Sequence, residues 1–315
     1  MLFLSRAAVH LGYAHRDDLS AQLLAEVESL TRGDDEDDPR TAARVHQIRA
    51  LYALRAGDTA KYVREHTRAL AAFVEAGDQR SACLELVSLG SGYADLGAYP
   101  EAEAALAGAL EAAERMGLLH IAPWALQNLG HVKARLGRRG EARAYLARAR
   151  EAGVASRDAR LTGGTLIYLS RLAAEEGKLS EAEREAVEAA SALAGVPAMR
   201  AGALAARSRA LLASGRAQEA LLEARSAMEL LESLGAGKMG ELEAFVRVVL
   251  VEALLAAADR REAREAAALA SERLASRAAL IGEPALRESF LSRVPEHART
   301  LELAAELGAR DPLPS

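Results

Sequence analysis

Apolar and small residues recur along most of the chain at i, i+3, i+4 and i+7, the spacing of one helix face. Residues 83–117 contain two such sets: Leu86, Leu89, Gly90 and Tyr93, then Ala102, Leu106, Ala109 and Leu110. Residues 123–149 repeat the pattern. Alanine dominates the apolar positions and alternating β-branched runs do not occur, so the pattern predicts an all-α chain.

Glycine punctuates these helical stretches at a fixed interval. The first series is spaced by 40 residues and then by 38: Gly57, Gly97, Gly137, Gly177 and Gly215. The second series closes most units: Gly77, Gly117, Gly153, Gly195 and Gly235. Because glycine readily takes the left-handed conformation that ends a helix, each unit is predicted to contain two helices, each ended by one glycine. Ala102, five residues after Gly97, is predicted to lie where these helices cross closely.

These residues resemble the tetratricopeptide repeat (TPR). The segments 84–110 and 123–149 have a large residue, Leu-Gly and then Tyr in the first helix, followed by Ala, a large residue and Ala in the second, although Lys133 replaces the tyrosine in the second segment. The period of about 40 exceeds the usual value of about 34. It is similar to that of arrays in bacterial STAND-type ATPase regulators and serine/threonine kinase signalling proteins. The resemblance implies an α-solenoid of about seven antiparallel helix pairs in a right-handed superhelix.

The repeat register predicts one array over residues 1–280, with Tyr13 at the tyrosine position of the first unit. The predicted units are 3–39, 43–79, 83–119, 123–155, 163–197, 201–237 and 244–280. Residues 281–315, interrupted by Pro284 and Pro295, are predicted to form capping helices and a short tail, because a last unit must cover an exposed apolar face. The acidic run 34–38 is predicted to be a solvated loop.

Composition and motifs narrow the function classes. The 40 basic and 45 acidic residues are interspersed and give a net charge of −5, which argues against nucleic-acid or membrane-surface binding. No apolar run is long enough to span a membrane, and no signal peptide is evident. Cys83 is the single cysteine, which excludes a disulfide framework and suits a cytoplasmic setting. Metal-binding, phosphate-loop and nucleophile motifs do not occur, so the sequence predicts no metal, no cofactor and no enzyme.

The concave side of such an array is lined by the first helices and usually holds a peptide. The candidate partner-binding residues on these helices are Trp124, Gln127, Asn128, His131, Arg135, Arg171 and Arg209. Arginines on rigid helices can hold a carboxylate through paired hydrogen bonds, so the hypothesis is an acidic peptide or one with a free C-terminal carboxylate. In the alternative, Arg135 pairs with Glu175, Arg171 and Arg209 are solvated, and Trp124 packs between units.

The sequence therefore predicts a non-catalytic protein- or peptide-binding scaffold or sensor of a bacterial signalling protein. Two alternatives stay open. One is a self-associating structural module that dimerises through its terminal units. The other is a peptide-sensing domain that controls an attached kinase, ATPase or DNA-binding effector.

Overall fold

A computed structural model describes residues 2–13, 16–30, 38–234 and 241–309, and these residues form sixteen α-helices without a β-strand. The first helices of seven successive pairs are α1 (Leu2–Tyr13), α3 (Pro39–Ala56), α5 (Gln79–Asp95), α7 (Ala122–Arg135), α9 (Ala159–Glu175), α11 (Pro197–Ala213) and α13 (Glu241–Ala256). The second helices are α2 (Asp17–Leu30), α4 (Thr59–Glu75), α6 (Tyr99–Arg115), α8 (Arg139–Ser156), α10 (Leu179–Ala192), α12 (Ala217–Leu234) and α14 (Arg260–Ala278). Two shorter helices follow, α15 (Pro284–Ser292) and α16 (Pro295–Glu306). The predicted fold class, an all-α solenoid of helix pairs, is confirmed.

Several helices begin up to four residues before the predicted unit starts, because aspartates cap their N-termini. Asp78 Oδ1 accepts a hydrogen bond from the Ser81 backbone N–H at 3.0 Å, and Asp158 caps α9 in the same way. Such caps satisfy N–H groups that the helix itself leaves open. Asp38, predicted to lie in the acidic loop, caps α3, whereas residues 34–37 lie outside the described residues.

The first glycine series has the predicted conformation. Gly57, Gly97, Gly137, Gly177 and Gly215 all have positive φ angles, between 71° and 78°. In the last pair, which lacks this glycine, Ala258 takes the same place with φ of 65°. This left-handed position recurs even where glycine does not, so the turn geometry is set by the packing of the two helices that it joins.

The prediction that the second glycine series ends the second helices is only partly confirmed. Gly77 and Gly117 are left-handed, but Gly153 and Gly195 are not, and Gly235 lies outside the described residues. Gly153 lies inside α8, where an added Cβ would be 2.7 Å from the Thr162 hydroxyl oxygen of α9. Its role is therefore close helix contact, and α8 ends later, at Arg157 with φ of 55°.

Small residues sit where the two helices of a pair cross, as predicted. The alanines at this position are fully buried: Ala102, Ala142, Ala182, Ala220 and Ala263. On the facing helix, a Cβ added at Gly90 would lie 2.3 Å from Leu106 Cγ. Leucine from the second helix thus fills the space that glycine leaves on the first.

The array curves with its first helices on the inside. First helices of neighbouring pairs contact one another more extensively than the second helices do, as seen for α7 with α9 and α9 with α11. The shorter spacing on that side makes it the concave face. The first helices therefore line the inner wall, as the resemblance implies.

The last helices pack back onto the second and third pairs rather than simply extending the array. Arg277 of α14 is buried, and its Nη2 donates to Thr59 Oγ1 at 3.4 Å. Tyr99 Oη of α6 donates to the Arg293 carbonyl at 3.3 Å. Phe290 of α15 is fully buried in an apolar cluster with residues of α4 and α5. The array is closed at these contacts.

The substitution Gly90→Ala should lower the free energy of unfolding by about 1–3 kcal/mol, because its methyl group would overlap the Leu106 side chain. Gly108→Ala is the matched control: the nearest atom to its added Cβ, Leu86 Cδ1, is 4.0 Å away, so higher helix propensity should leave stability unchanged or raised. Denaturant unfolding followed by circular dichroism measures both. Equal effects of the two substitutions would contradict the close crossing.

Candidate functional site

Two of the predicted groove arginines converge on one carboxylate. Arg135 Nη2 of α7 donates to both oxygens of Glu296, at 2.8 Å to Oε1 and 2.7 Å to Oε2. Arg171 Nη2 of α9 donates to Glu296 Oε1 at 2.5 Å. The side chains of Arg135, Arg171 and Glu296 are only 7%, 8% and 7% exposed. The inner face therefore binds a carboxylate, and this one belongs to α16 of the same chain.

The local sequence of α16 presents that carboxylate to the array. Pro295 occupies the first helical turn, where its fixed φ suits helix initiation. Glu296 follows it, so its carboxylate lies at the positive end of the helix dipole. Thr300 Oγ1 donates to the Glu296 carbonyl at 2.7 Å, which adds a hydrogen bond one turn further on.

A buried histidine ties α16 to α15. His297 Nδ1 donates to the Phe290 carbonyl at 2.7 Å, which requires a proton on that nitrogen. The two rings are also in contact, with centroids 4.2 Å apart. These contacts hold α15 and α16 together as one hairpin, residues 284–306, which we call the C-terminal hairpin. Through Phe290, the hairpin also packs against the early units.

A second set of charges extends the site toward solvent. Arg209 Nη2 of α11 lies 2.8 Å from Glu252 Oε2 of α13, and Arg299 Nε of α16 lies 3.6 Å from Glu252 Oε1. Arg209 is 36% exposed. Helix α16 thus presents one negative and one positive side chain to the array: Glu296 contacts arginines, and Arg299 contacts a glutamate.

Phe245 of α13 lies beneath the arginines. Its ring centroid is 4.5 Å from Cζ of Arg171 and 5.6 Å from Cζ of Arg209. Guanidinium groups over an aromatic face gain an electrostatic attraction to the ring and lose rotational freedom. The arginine positions are therefore set partly by the array before any carboxylate is considered.

The remaining candidate residues lie nearby on α7 with different contacts. His131 is buried and stacks on Tyr168, with ring centroids 4.4 Å apart. Gln127 is buried, and its Nε2 donates to the Leu161 carbonyl at 3.0 Å and to Thr165 Oγ1 at 2.9 Å. Both amide hydrogens of Gln127 are thus used between units. Trp124 and Asn128 are half-buried.

The structure also answers the alternative interpretation of these residues. Arg135 pairs with Glu296 rather than with the proposed Glu175, which is exposed. Arg171 is buried rather than solvated, whereas Arg209 is half-buried and ion-paired. Trp124 packs against the apolar cluster of α5 to α8, as that alternative expected.

Glu296 is absent from the predicted site, because it lies outside the repeat, in the segment 281–315 that was predicted only to cover the last unit. The available signal was a glutamate directly after a proline at a helix start, which marks a carboxylate held at a fixed position.

Basic residues also line a cavity of about 490 Å³ at the N-terminal ends of α5 and α7. Its charged or ionisable lining residues are Arg6, His10, Arg44, Arg80, His120 and Asp78. Every residue that lines it belongs to a first helix or directly precedes one, which places it at the edge of the concave side.

A larger cavity, about 730 Å³, lies on the outer side between α8 and α10. Glu185 of α10 lines it, is only 3% exposed, and its Oε2 has no hydrogen-bond partner among the described residues. Burial, and then the nearby Glu181 carboxylate, raises the pKa of Glu185 to about 7.

Two kinds of feature are missing from the part of the chain that the structure describes. Its histidine, cysteine, aspartate and glutamate side chains form no group of three or more that could hold a metal ion. Among its helices, none combines the length and apolar character needed to cross a membrane.

Replacing Glu296 should destabilise the closed array strongly. In Glu296→Gln, the buried guanidinium groups of Arg135 and Arg171 lose the negative charge of their partner. Such a loss typically lowers the free energy of unfolding by about 3–5 kcal/mol. Glu288→Gln, the same change at an exposed position of the C-terminal hairpin, should shift stability by less than about 0.5 kcal/mol. Denaturant midpoints compare the variants. A Glu296→Gln midpoint equal to that of Glu288→Gln would show that the buried contact is dispensable.

Glu185 should make stability fall as pH rises. Its folded-state pKa of about 7 exceeds its ordinary value of 4.5, so the folded chain binds more protons than the unfolded chain between these values. Its stabilising effect is present below about pH 4.5 and is lost as pH rises to about 7. In Glu185→Gln, the drop in denaturant midpoint from about pH 5 to about pH 8 should be smaller than in wild type. Glu151→Gln, at an exposed position of the same cavity, should retain the wild-type drop.

No protein-family model and no curated protein matches the chain. Among solved structures, the chain is similar to a Rap protein complexed with Competence and Sporulation Factor, with a TM-score of 0.59 and 14% identity over 97% of this chain and 98% of that chain. NprR in complex with its cognate peptide NprX gives a TM-score of 0.60 and 11% identity, over 97% of this chain and 85% of that one.

A third similar structure is the Rap conjugation gene regulator of plasmid pLS20 in complex with a Phr peptide. Its TM-score is 0.52 and its identity 13%, over 98% of this chain and 96% of that chain. At such identities the likeness shows the fold alone. It confirms a TPR-like helical-repeat array, whereas the association with ATPase regulators or kinases stays a prediction.

Proposed function

We propose that this chain is a non-catalytic, peptide-sensing regulatory module that binds its ligand on the concave face. One observation carries the proposal: arginines from two repeat units already hold a carboxylate there, largely shielded from solvent. Two guanidinium groups with fixed orientation recognise a carboxylate far better than scattered surface charges do.

The chemistry of this face favours an acidic peptide or one with a free C-terminal carboxylate. Arg209 lies beside Arg171 and is partly exposed, so an incoming acidic group can reach it. The basic cavity at the edge of the same face adds positive charge along the path of an extended ligand. Trp124 and Asn128, both half-buried, supply an apolar contact and an amide for the peptide backbone.

The similar structures support a peptide as the ligand. NprR is in complex with its cognate peptide NprX, the pLS20 regulator with a Phr peptide, and the Rap protein with Competence and Sporulation Factor. A shared fold does not transfer a ligand, so the specificity of this chain must come from its own inner-face residues. We place the module in the bacterial cytoplasm, where it would relay peptide binding to an attached or separate signalling partner, such as a kinase or ATPase.

Self-association is the second candidate function. Phe3 on the first helix is 81% exposed, an unusual position for a large aromatic side chain. A dimer formed through the terminal units would cover it. Light scattering of the full chain before and after Phe3→Ser decides this candidate, because a monomer in both cases excludes it.

The peptide proposal predicts a carboxylate preference. Random decapeptides with free or amidated C-termini are screened against the full chain by fluorescence anisotropy. The peptides that bind should be rich in Asp or Glu, or should be those with a free C-terminal carboxylate. Arg209→Gln should weaken the best of them by about tenfold or more, since it removes one charge-assisted hydrogen bond.

Arg261→Gln is the matched control, because Arg261 is 83% exposed and pairs with Glu265 on its own helix. This variant should bind peptides like wild type. Equal affinity of the Arg209 and Arg261 variants, or binding without any acidic preference, would refute the proposed function.

A further inference from the structure

The occupant of the arginine pair is the least expected feature of the inner face. Arg135 and Arg171 come from adjacent units, whereas Glu296 comes from a helix 125 residues further along the chain than Arg171. A side-chain carboxylate on a helix is the same chemical group that an acidic peptide would present. The C-terminal hairpin therefore occupies the site in the manner of a ligand.

The buried face of α16 mixes two kinds of contact. Its apolar half, Leu303, Ala304 and Leu307, joins the large cluster formed by α9 to α14. Its polar half, Glu296 and Thr300, lies at the opposite end of the helix. Buried ion pairs fix position but add little net stability, because desolvation offsets much of the attraction. The carboxylate contact is thus specific, and an equivalent carboxylate can replace it at small net cost.

The connection to the array permits exchange of that contact. Between α14 and α15, residues 279, 280, 282 and 283 are exposed, whereas Ile281 is buried. On α15, the exposed positions are Pro284, Ala285, Arg287, Glu288 and Ser292. The hairpin is held by the inner contacts of α16, by the buried Phe290 and Val294, and by the hydrogen bond from Tyr99 to the Arg293 carbonyl, whereas most of its connection to α14 is exposed.

We infer that the C-terminal hairpin is an intramolecular ligand of the concave face. In the ligand-free protein, Glu296 fills the Arg135–Arg171 site, and an acidic peptide binds there by displacing Glu296 and lifting the polar end of α16. This inference rests on the proposed function and adds its regulation: affinity for the peptide is set by competition with the protein's own α16.

A peptide copy of α16 tests the competition directly. The probe is a fluorescent, isotope-labelled peptide of residues 294–307, added to the full chain. It should bind the Glu296→Gln chain about tenfold more tightly than wild type, because the neutral amide competes less well than the carboxylate for Arg135 and Arg171. A probe that itself carries Glu296→Gln should bind about tenfold more weakly than the native probe.

Variants of the chain separate competition from misfolding. Arg299→Gln weakens the contact of α16 with Glu252 without touching the arginine pair, so it should also raise affinity for the probe. Glu288→Gln, with the same loss of charge as Glu296→Gln but at an exposed position, should leave affinity unchanged. Circular dichroism confirms that each variant keeps its helical content.

Hydrogen exchange supplies the structural readout. Binding of the labelled probe should raise amide exchange in residues 295–306 of the chain itself, and the isotope label separates the two copies by mass. If the probe binds no variant, or binds without raising this exchange, the inference is wrong. If acidic peptides from the random screen still bind with Arg209 dependence in that case, the proposed function survives without the competition.

Discussion

Because guanidinium groups from two repeat units hold Glu296, the place of α16 and the spacing of those units depend on each other. The Arg171 guanidinium contacts both the Phe245 ring and the Glu296 carboxylate. Helix α16 also carries Arg299, one turn after Glu296, and Arg299 faces Glu252 of α13. The inner face is thus built around charge contacts that span non-adjacent parts of the sequence, on a scaffold whose other contacts are mostly between neighbours.

The contacts around Arg277, which close the array, also combine buried charges with apolar packing. Burial lowers the pKa of Arg277, while the Asp95 and Glu243 carboxylates oppose that change. Burial alone would raise the pKa of Glu243, yet a hydrogen bond from Arg273 and the nearby Arg247 and Arg277 hold it below its ordinary value. Apolar residues around Phe290 complete the contact. Charges specify which helices meet, and the apolar cluster supplies most of the adhesion.

The repeat itself could be predicted because its determinants lie within one unit. Gly97, Ala102 and Gly90 are fixed by the packing of two helices about 20 residues apart, so the periodic pattern exposes them. The same periodicity placed Arg135, Arg171 and Arg209 on one face. Their partners could not be predicted, since Glu296 lies outside the repeat and its docking depends on the curvature of the whole array. Gly153 was misassigned because contact with Thr162, and not helix ending, requires glycine there.

The Arg277–Thr59 contact has a mechanical consequence. An open solenoid behaves as a spring, whose pitch varies continuously as small changes accumulate from unit to unit. Joining the seventh pair to the second removes that freedom, because stretching must first break a buried contact instead of spreading over all the joints. Packed interfaces of this kind have discrete states rather than a continuum. The diameter of the array is therefore expected to stay near one value until this contact breaks.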